Sequence, residues 1–355
     1  MPASARLTAV AAYGLAGSRT DLPSTALSEP EWLDLVQGCI AADLIGFLAA
    51  AAASGHMPLS AGQADELAVI EAERAGLCLL VERRAATMAG MLAAAGVEHG
   101  VMDGPARRLA YGTAALRHFG EVQVLVSPRR FDAARALQGP LPSTHGARPV
   151  QRRERVVLRS DVAGLAPVAG DARESRDARQ ARNDVAAVPA EVDALDLLGP
   201  AASLELAGRQ VSVLTLEQQL LVAAVEVTAH PVPSLALVRD VAQIALCADL
   251  DSTAVRRLAE ATGVATALAG AVAVAWDRFD LADKTELSVW ALRRSGSRHR
   301  PTSRRSTAPL ARAGLAQRVL GRRQSTPAGT SGAPTLSTTT ASPSGPVGSV
   351  RSTRR

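Results

Sequence analysis

Between Val97 and Gln138 the hydrophobic pattern of this chain changes period more than once, and that change sets the fold class. "VEHGVMDG" reads as a short strand and turn, and "PARRLAYGTAALRHFG" as a helix with Pro105 at its first position and Gly120 at its end. "EVQVLV", Glu121–Val126, alternates over six β-favouring residues. "SPRRFDAARALQ" is then a helix with Ser127 as cap and Pro128 first. A strand, a helix, a strand and a helix within about 45 residues predict an α/β core. With helices before it and a helical bundle after it, the expected class is α+β.

The flanks divide by composition. Residues 1–28 are poorly patterned and expected to be poorly ordered. Residues 29–95 are helical, opening at "SEPEWLDLVQGC" with Ser28 as cap, breaking at "SGHMP", and resuming from about Ser60 to Gly96 with apolar residues three and four apart. Residues 96–213 form the α/β core, with an irregular insertion over 139–200 that holds one strand, "RERVVLRSDV", and a mixed-charge run, "DARESRDARQARND". "SLELAGRQVSVL" reads as a hairpin turning at Ala207-Gly208. Residues 214–294 are a helical bundle that opens with Thr215 as cap. Residues 295–355, rich in Ser, Thr, Pro, Gly and Arg, are expected to be a disordered tail.

Aromatic residues make up only 3% of a chain that is 47% hydrophobic, so the core must be built from Ala, Leu and Val, which suits close-packed helices. Charge is unevenly placed. Of 39 lysines and arginines, 13 arginines lie in Ala291–Arg355 beside no acid, which leaves 26 against 34 acids in residues 1–290, a net of −8. The body therefore lacks the clustered positive charge that a phosphate backbone demands, and nucleic acid is expected to bind only weakly, through the tail. Cys39, Cys78 and Cys247 stand far apart in apolar runs, which suits buried thiols in a reducing compartment. No signal-peptide pattern and no apolar run of roughly 20 residues is present, so a cytoplasmic protein without a membrane span is expected.

The strand–turn segment has the layout of a catalytic segment and raises the question of a nucleotide-handling site. Nucleotidyl transfer places negative charge on attacking and leaving oxygens, which two Mg2+ ions stabilise. Mg2+ takes hard oxygen ligands, so carboxylates at i and i+2 of one strand suit a shared metal pair. "MLAAAGVEHGVMDG", "LAYGTAALRHFG", "EVQVLVSPRRFDAA", "LTLEQQLLVAAVEVTAH" and "LALVRDVAQIAL" follow one another in the order and spacing of a known pattern. Over roughly Glu31–Asp280 the chain resembles the bacterial uncharacterised nucleotidyltransferase family, a branch of the polymerase-β-like superfamily.

The resemblance implies a small mixed sheet, a nucleoside triphosphate as substrate, Mg2+, and a small-molecule or protein acceptor. It also locates departures. Gly104 keeps the turn that faces the triphosphate, but Asp103 stands where the family has Lys. Glu121 replaces the first metal acid and Gln123 the second. Val157 and Arg159 stand where a third acid and a His are usual, and Asp161 is the nearest acid. Arg117 and Tyr111 match the family's own residues on the helix after the turn. Two readings follow. In the first, the chain transfers a nucleotidyl group, impaired or lost, with Glu121, Asp103 and Gln123 at the reaction centre. There Glu121 and Asp103 hold one metal, and Gly104, Arg117 and Tyr111 hold the nucleotide. In the second, the same scaffold is a non-catalytic nucleotide- or protein-binding module.

Each residue has a plainer role beside the sharp one. Asp103 and Glu121 are more ordinarily a turn Asp and a solvated strand-start Glu, and Gln123 a polar residue on an open strand face. Arg107 and Arg108 bind phosphate or form a solvated helix face. His99 and His118 are candidate bases or hydrogen-bonded structural residues. His230 sits at a helix C-terminus. Arg239 and Asp240 contact a substrate or pair with each other.

Overall fold

The computed structural model describes residues 1–112, 116–137, 197, 201–282 and 285–295, with 155–159 as backbone. Four helices precede the sheet: α1 (Ala3–Ala12), α2 (Glu29–Ala41), α3 (Ile45–Ala53) and α4 (Ala61–Ala94). The start of α4 is fixed by a capping box: Ser60 accepts from the Gln63 N–H, and the Gln63 side chain returns to the Ser60 N–H. Helix α1 corrects the expectation of a poorly ordered N-terminus. Its Ala9, Val10, Ala11 and Ala12 are buried in the main core, where small side chains without a marked apolar stripe still allow close approach.

A five-stranded mixed sheet follows, built from β1 (His99–Val101), β2 (Glu121–Val126), β3 (Arg155–Arg159), β4 (Ala202–Leu206) and β5 (Arg209–Val213). The order across it is β3-β2-β1-β5-β4. Strand β1 runs antiparallel to β2 and parallel to β5, β2 runs parallel to β3, and β4 and β5 form the expected hairpin. Between β3 and β2, Glu121 faces Arg155 and Gln123 faces Val157 in the ladder.

The helix expected over 105–120 is shorter and tighter. A 3-10 segment covers Gly104–Ala110 and stops at Tyr111, after which Gly112 adopts a left-handed φ of 65° that ends the run. Leu116–Gly120 carries no helix. Helix α5 (Phe131–Leu137) then covers one sheet face, and α6 (Leu216–Ala229), α7 (Leu235–Ala245), α8 (Ser252–Ala261), α9 (Ala265–Arg278) and α10 (Glu286–Ser295) form the bundle. Thr215 caps α6 through a second capping box with Gln218. The mixed-charge run at 171–184, Asp161 and residues 296–355 lie outside the described residues.

Strand β2 divides two cores. Val122, Val124 and Val126 pack against Cys78, Val81, Ala85 and Leu92 of α4. On the opposite face Leu125 joins the large core that α1–α3 share with α6–α10. The N-terminal helices and the bundle are therefore one hydrophobic body rather than separate domains, and residues 1–304 form one compact unit. Among the described residues no helix is long and apolar enough to cross a membrane.

Candidate functional site

The alternation of β2 places Glu121 and Gln123 on the Leu125 face, turned toward the bundle. A cleft of about 240 Å3 opens at Glu121, walled by Asp43 from the turn between α2 and α3, by Arg74 of α4, by Asp103 and Arg117, and by Phe119. The structure thus brings Asp103, Arg117 and Glu121 together in one cleft. Arg74 is anchored by Nη2 donating to the Ile40 carbonyl at 2.8 Å, with Asp43 3.5 Å from Nη1.

Behind the cleft lies a buried charge network whose hub is Arg107. Its Nε meets Asp103 Oδ1 at 2.6 Å, Nη1 meets Asp240 Oδ2 at 2.8 Å, and Nη2 meets Glu226 Oε2 at 2.6 Å. Asp240, fully buried on α7, also accepts from Tyr111 Oη at 2.5 Å and from Arg117 Nε and Nη2 at 3.1 and 3.0 Å. Burial pushes the Asp240 carboxyl up, but Arg117 and Arg107 outweigh it and hold the group below its usual range. Glu226, on α6, has Arg107 as its cation and shares it with two other acids. Burial prevails there and lifts its pKa. Tyr111 stays protonated for the same reason, its phenol raised by burial and by Asp240.

These contacts correct several expectations. Asp103 is occupied: its Oδ1 accepts the Gly104 N–H at 2.6 Å and pairs with Arg107. Gly104 is buried against β2, where an added Cβ would lie 2.8 Å from Val122 Cγ2 and 3.0 Å from the Glu121 carbonyl. The glycine serves close packing, and the turn's first N–H is already taken. Arg117 and Tyr111 hold Asp240. Gln123 is not on an open face: it is 8% exposed, and its Oε1 has no partner among the described residues. Arg107 is 2% exposed rather than solvated, and Arg108 pairs with Glu82 and lies over the Phe119 ring. Arg239 and Asp240 do not pair with each other. Arg239 stacks over Phe47 at 3.8 Å and donates to the Ala11 carbonyl, because adjacent helical positions point in different directions.

Sequence reading missed Glu226 and the hub role of Arg107. The signal for Glu226 is a single acid inside the continuous apolar run Leu220–Val227, a position that demands a buried cation.

His99 Nδ1 lies 2.8 Å from the Val97 carbonyl, and His230 ends α6. His118 is buried, and its Nδ1 has no partner among the described residues. Burial, with Arg74, Arg117 and Arg108 nearby, lowers its pKa to about 4. A depressed histidine contributes stability above its unfolded value of 6.5, and that stability is lost as pH falls toward 4. Wild-type protein should therefore lose about 2 kcal/mol more than His118→Gln between pH 6.5 and 4.5. Urea unfolding of both across that range reads the difference, and parallel curves would remove His118 as the titrating group. Glu226 acts oppositely in both proteins: its stabilisation is full below 4.5 and declines as pH rises through its lifted value.

The two-Mg2+ cradle does not fit the residues present. The strand positions that would carry it are Glu121 and Gln123, with Val157 next to Gln123 across the ladder. One carboxylate, one neutral amide and one aliphatic residue do not make a hard-oxygen set for two divalent ions. Among the described residues no group of three or more His, Cys, Asp or Glu side chains is gathered for a metal ion.

No protein-family model, curated protein or solved structure matches this chain.

Proposed function

We propose that the protein is a nucleotidyltransferase-like scaffold that binds a nucleotide without transferring it. The observation that carries this reading is the ladder register. Glu121 and Gln123 share one face of β2, and the position resembling the third metal acid, Val157, is paired with Gln123 on the adjacent parallel strand. The three positions that the resemblance assigns to metal acids are neighbours in the ladder, while only one carries a carboxylate. A mixed sheet with an antiparallel β1–β2 pair and a parallel β3 agrees with the same reading. Arg74 lines the cleft and supplies a positive side chain for a phosphate, Arg117 beside it is held by Asp240, and Phe119 supplies an apolar wall.

Catalysis through Asp103 and Glu121 with a single metal is the weaker reading, because Asp103 is bound to Arg107 and to the Gly104 N–H. The decisive variant is Gln123→Asp, which sets carboxylates at i and i+2 of β2. Electron paramagnetic resonance titration should show Mn2+ bound about tenfold more tightly by the variant than by the wild type. Pyrophosphate release from ATP or GTP by the wild-type chain would sink the proposal.

A further inference from the structure

Away from the cleft, helix α10 borders a second depression. Its inward residues, Leu287, Ser288 and Ala291, pack against the bundle. Its outward stripe at helical spacing is Glu286, Val289, Trp290, Arg293 and Arg294. With Arg256 of α8, these residues line an open depression of about 760 Å3. The Arg294 guanidinium lies 5.7 Å from the Trp290 ring centre, and Arg256 is steadied on its own helix by the Ser252 carbonyl at 3.1 Å. Trp32 and Trp276 are 0% and 5% exposed, whereas Trp290 is half-buried, packing on the bundle core with one side while lining the depression with the other. Glu286 is the last acid in the chain: from Leu287 to Arg355 there are 13 arginines and no carboxylate side chain.

We propose that this face of α10 is a docking surface for single-stranded nucleic acid, with Trp290 stacking on a base while Arg256, Arg293 and Arg294 meet phosphates. The chemistry favours nucleic acid over the other polyanions. An acidic peptide has no flat π face for the indole, whereas every base does. A lipid surface calls for a wide apolar face, and here Leu287 and Ala291 are buried in the bundle, leaving Val289, Trp290 and Leu292 as the apolar side chains that reach the surface, beside Arg293 and Arg294. The body carries a net negative charge, so docking is directed to the end where positive charge continues along the chain.

The test uses the full chain with a fluorescein-labelled 20-nucleotide oligothymidylate and an oligouridylate of equal length. Binding should quench tryptophan fluorescence and weaken more than about tenfold between 50 and 200 mM salt. Trp290→Ala should weaken it about tenfold and abolish the quench, while Trp290→Phe stays within about threefold of wild type. Arg293→Glu with Arg294→Glu, both exposed and so harmless to folding, should weaken it at least as much. Tight binding that neither variant changes would assign the affinity to the arginines beyond α10 and overturn the docking surface. Equal binding of polyglutamate or of anionic phospholipid vesicles, lost in the same variants, would overturn the choice of nucleic acid. So would no binding of either oligonucleotide.

Discussion

Asp240→Ala should destabilise the protein by about 3–5 kcal/mol, a large share of the roughly 5–15 kcal/mol that holds a domain together. Asp240 is fully buried and receives Arg107, Arg117 and the Tyr111 hydroxyl. Removing it takes the carboxylate from Arg117 and from the Tyr111 hydroxyl, and leaves Arg107 with Asp103 and Glu226 alone. The comparison is Asp43→Ala, whose side chain is 40% exposed and 3.5 Å from Arg74. A half-exposed pair of that length, whose Arg74 keeps the Ile40 carbonyl, contributes at most about 1 kcal/mol. Chemical denaturation of the two variants should show a large midpoint shift for Asp240 and a small one for Asp43. Similar shifts would mean that the network is not the structural keystone that its burial suggests.

Gly104→Ala should be the second severe change, costing about 2–4 kcal/mol. Two costs add there. The backbone φ of 65° disfavours any side chain, and the new methyl would lie 2.8 Å from Val122 Cγ2 and 3.0 Å from a backbone oxygen of β2 that cannot swing away. Gly96→Ala separates the two, since its φ is 64° but nothing lies within 4 Å of the added carbon. That variant should lose only about 1 kcal/mol. Equal losses at both sites would show that β2 yields to the methyl and that the close packing is not needed.

Much of the fold was legible because local chemistry and tertiary packing agree. Ser60 with Gln63 and Thr215 with Gln218 set helix starts through bonds within four residues, which a sequence displays directly. The alternation of Glu121–Val126 likewise announces a strand whose two faces meet different cores. The misreadings share a cause: long-range partners changed the meaning of a local pattern. Arg107 and Arg108 follow a turn in a run that looks solvated, yet Arg107 is drawn inside by Glu226 and Asp240, both more than 100 residues away. The segment tightens to a 3-10 turn and ends at Gly112 where periodicity predicts a longer helix. Asp103 and Arg117 do reach the cleft with Glu121 but spend their charge on protein partners. Helix α1 was hidden for another reason: alanines bury well without producing a marked apolar stripe.

The central claim is that the cleft at Glu121 binds nucleotide without metal-dependent transfer. Calorimetric titration of the full chain with ATP and with GTP, each with and without Mg2+, tests it most directly, with pyrophosphate assayed in the same samples. The account predicts heat of binding that is the same with and without Mg2+, and no pyrophosphate. Binding that appears only with Mg2+, accompanied by pyrophosphate release, would contradict it, as would the absence of binding to either nucleotide.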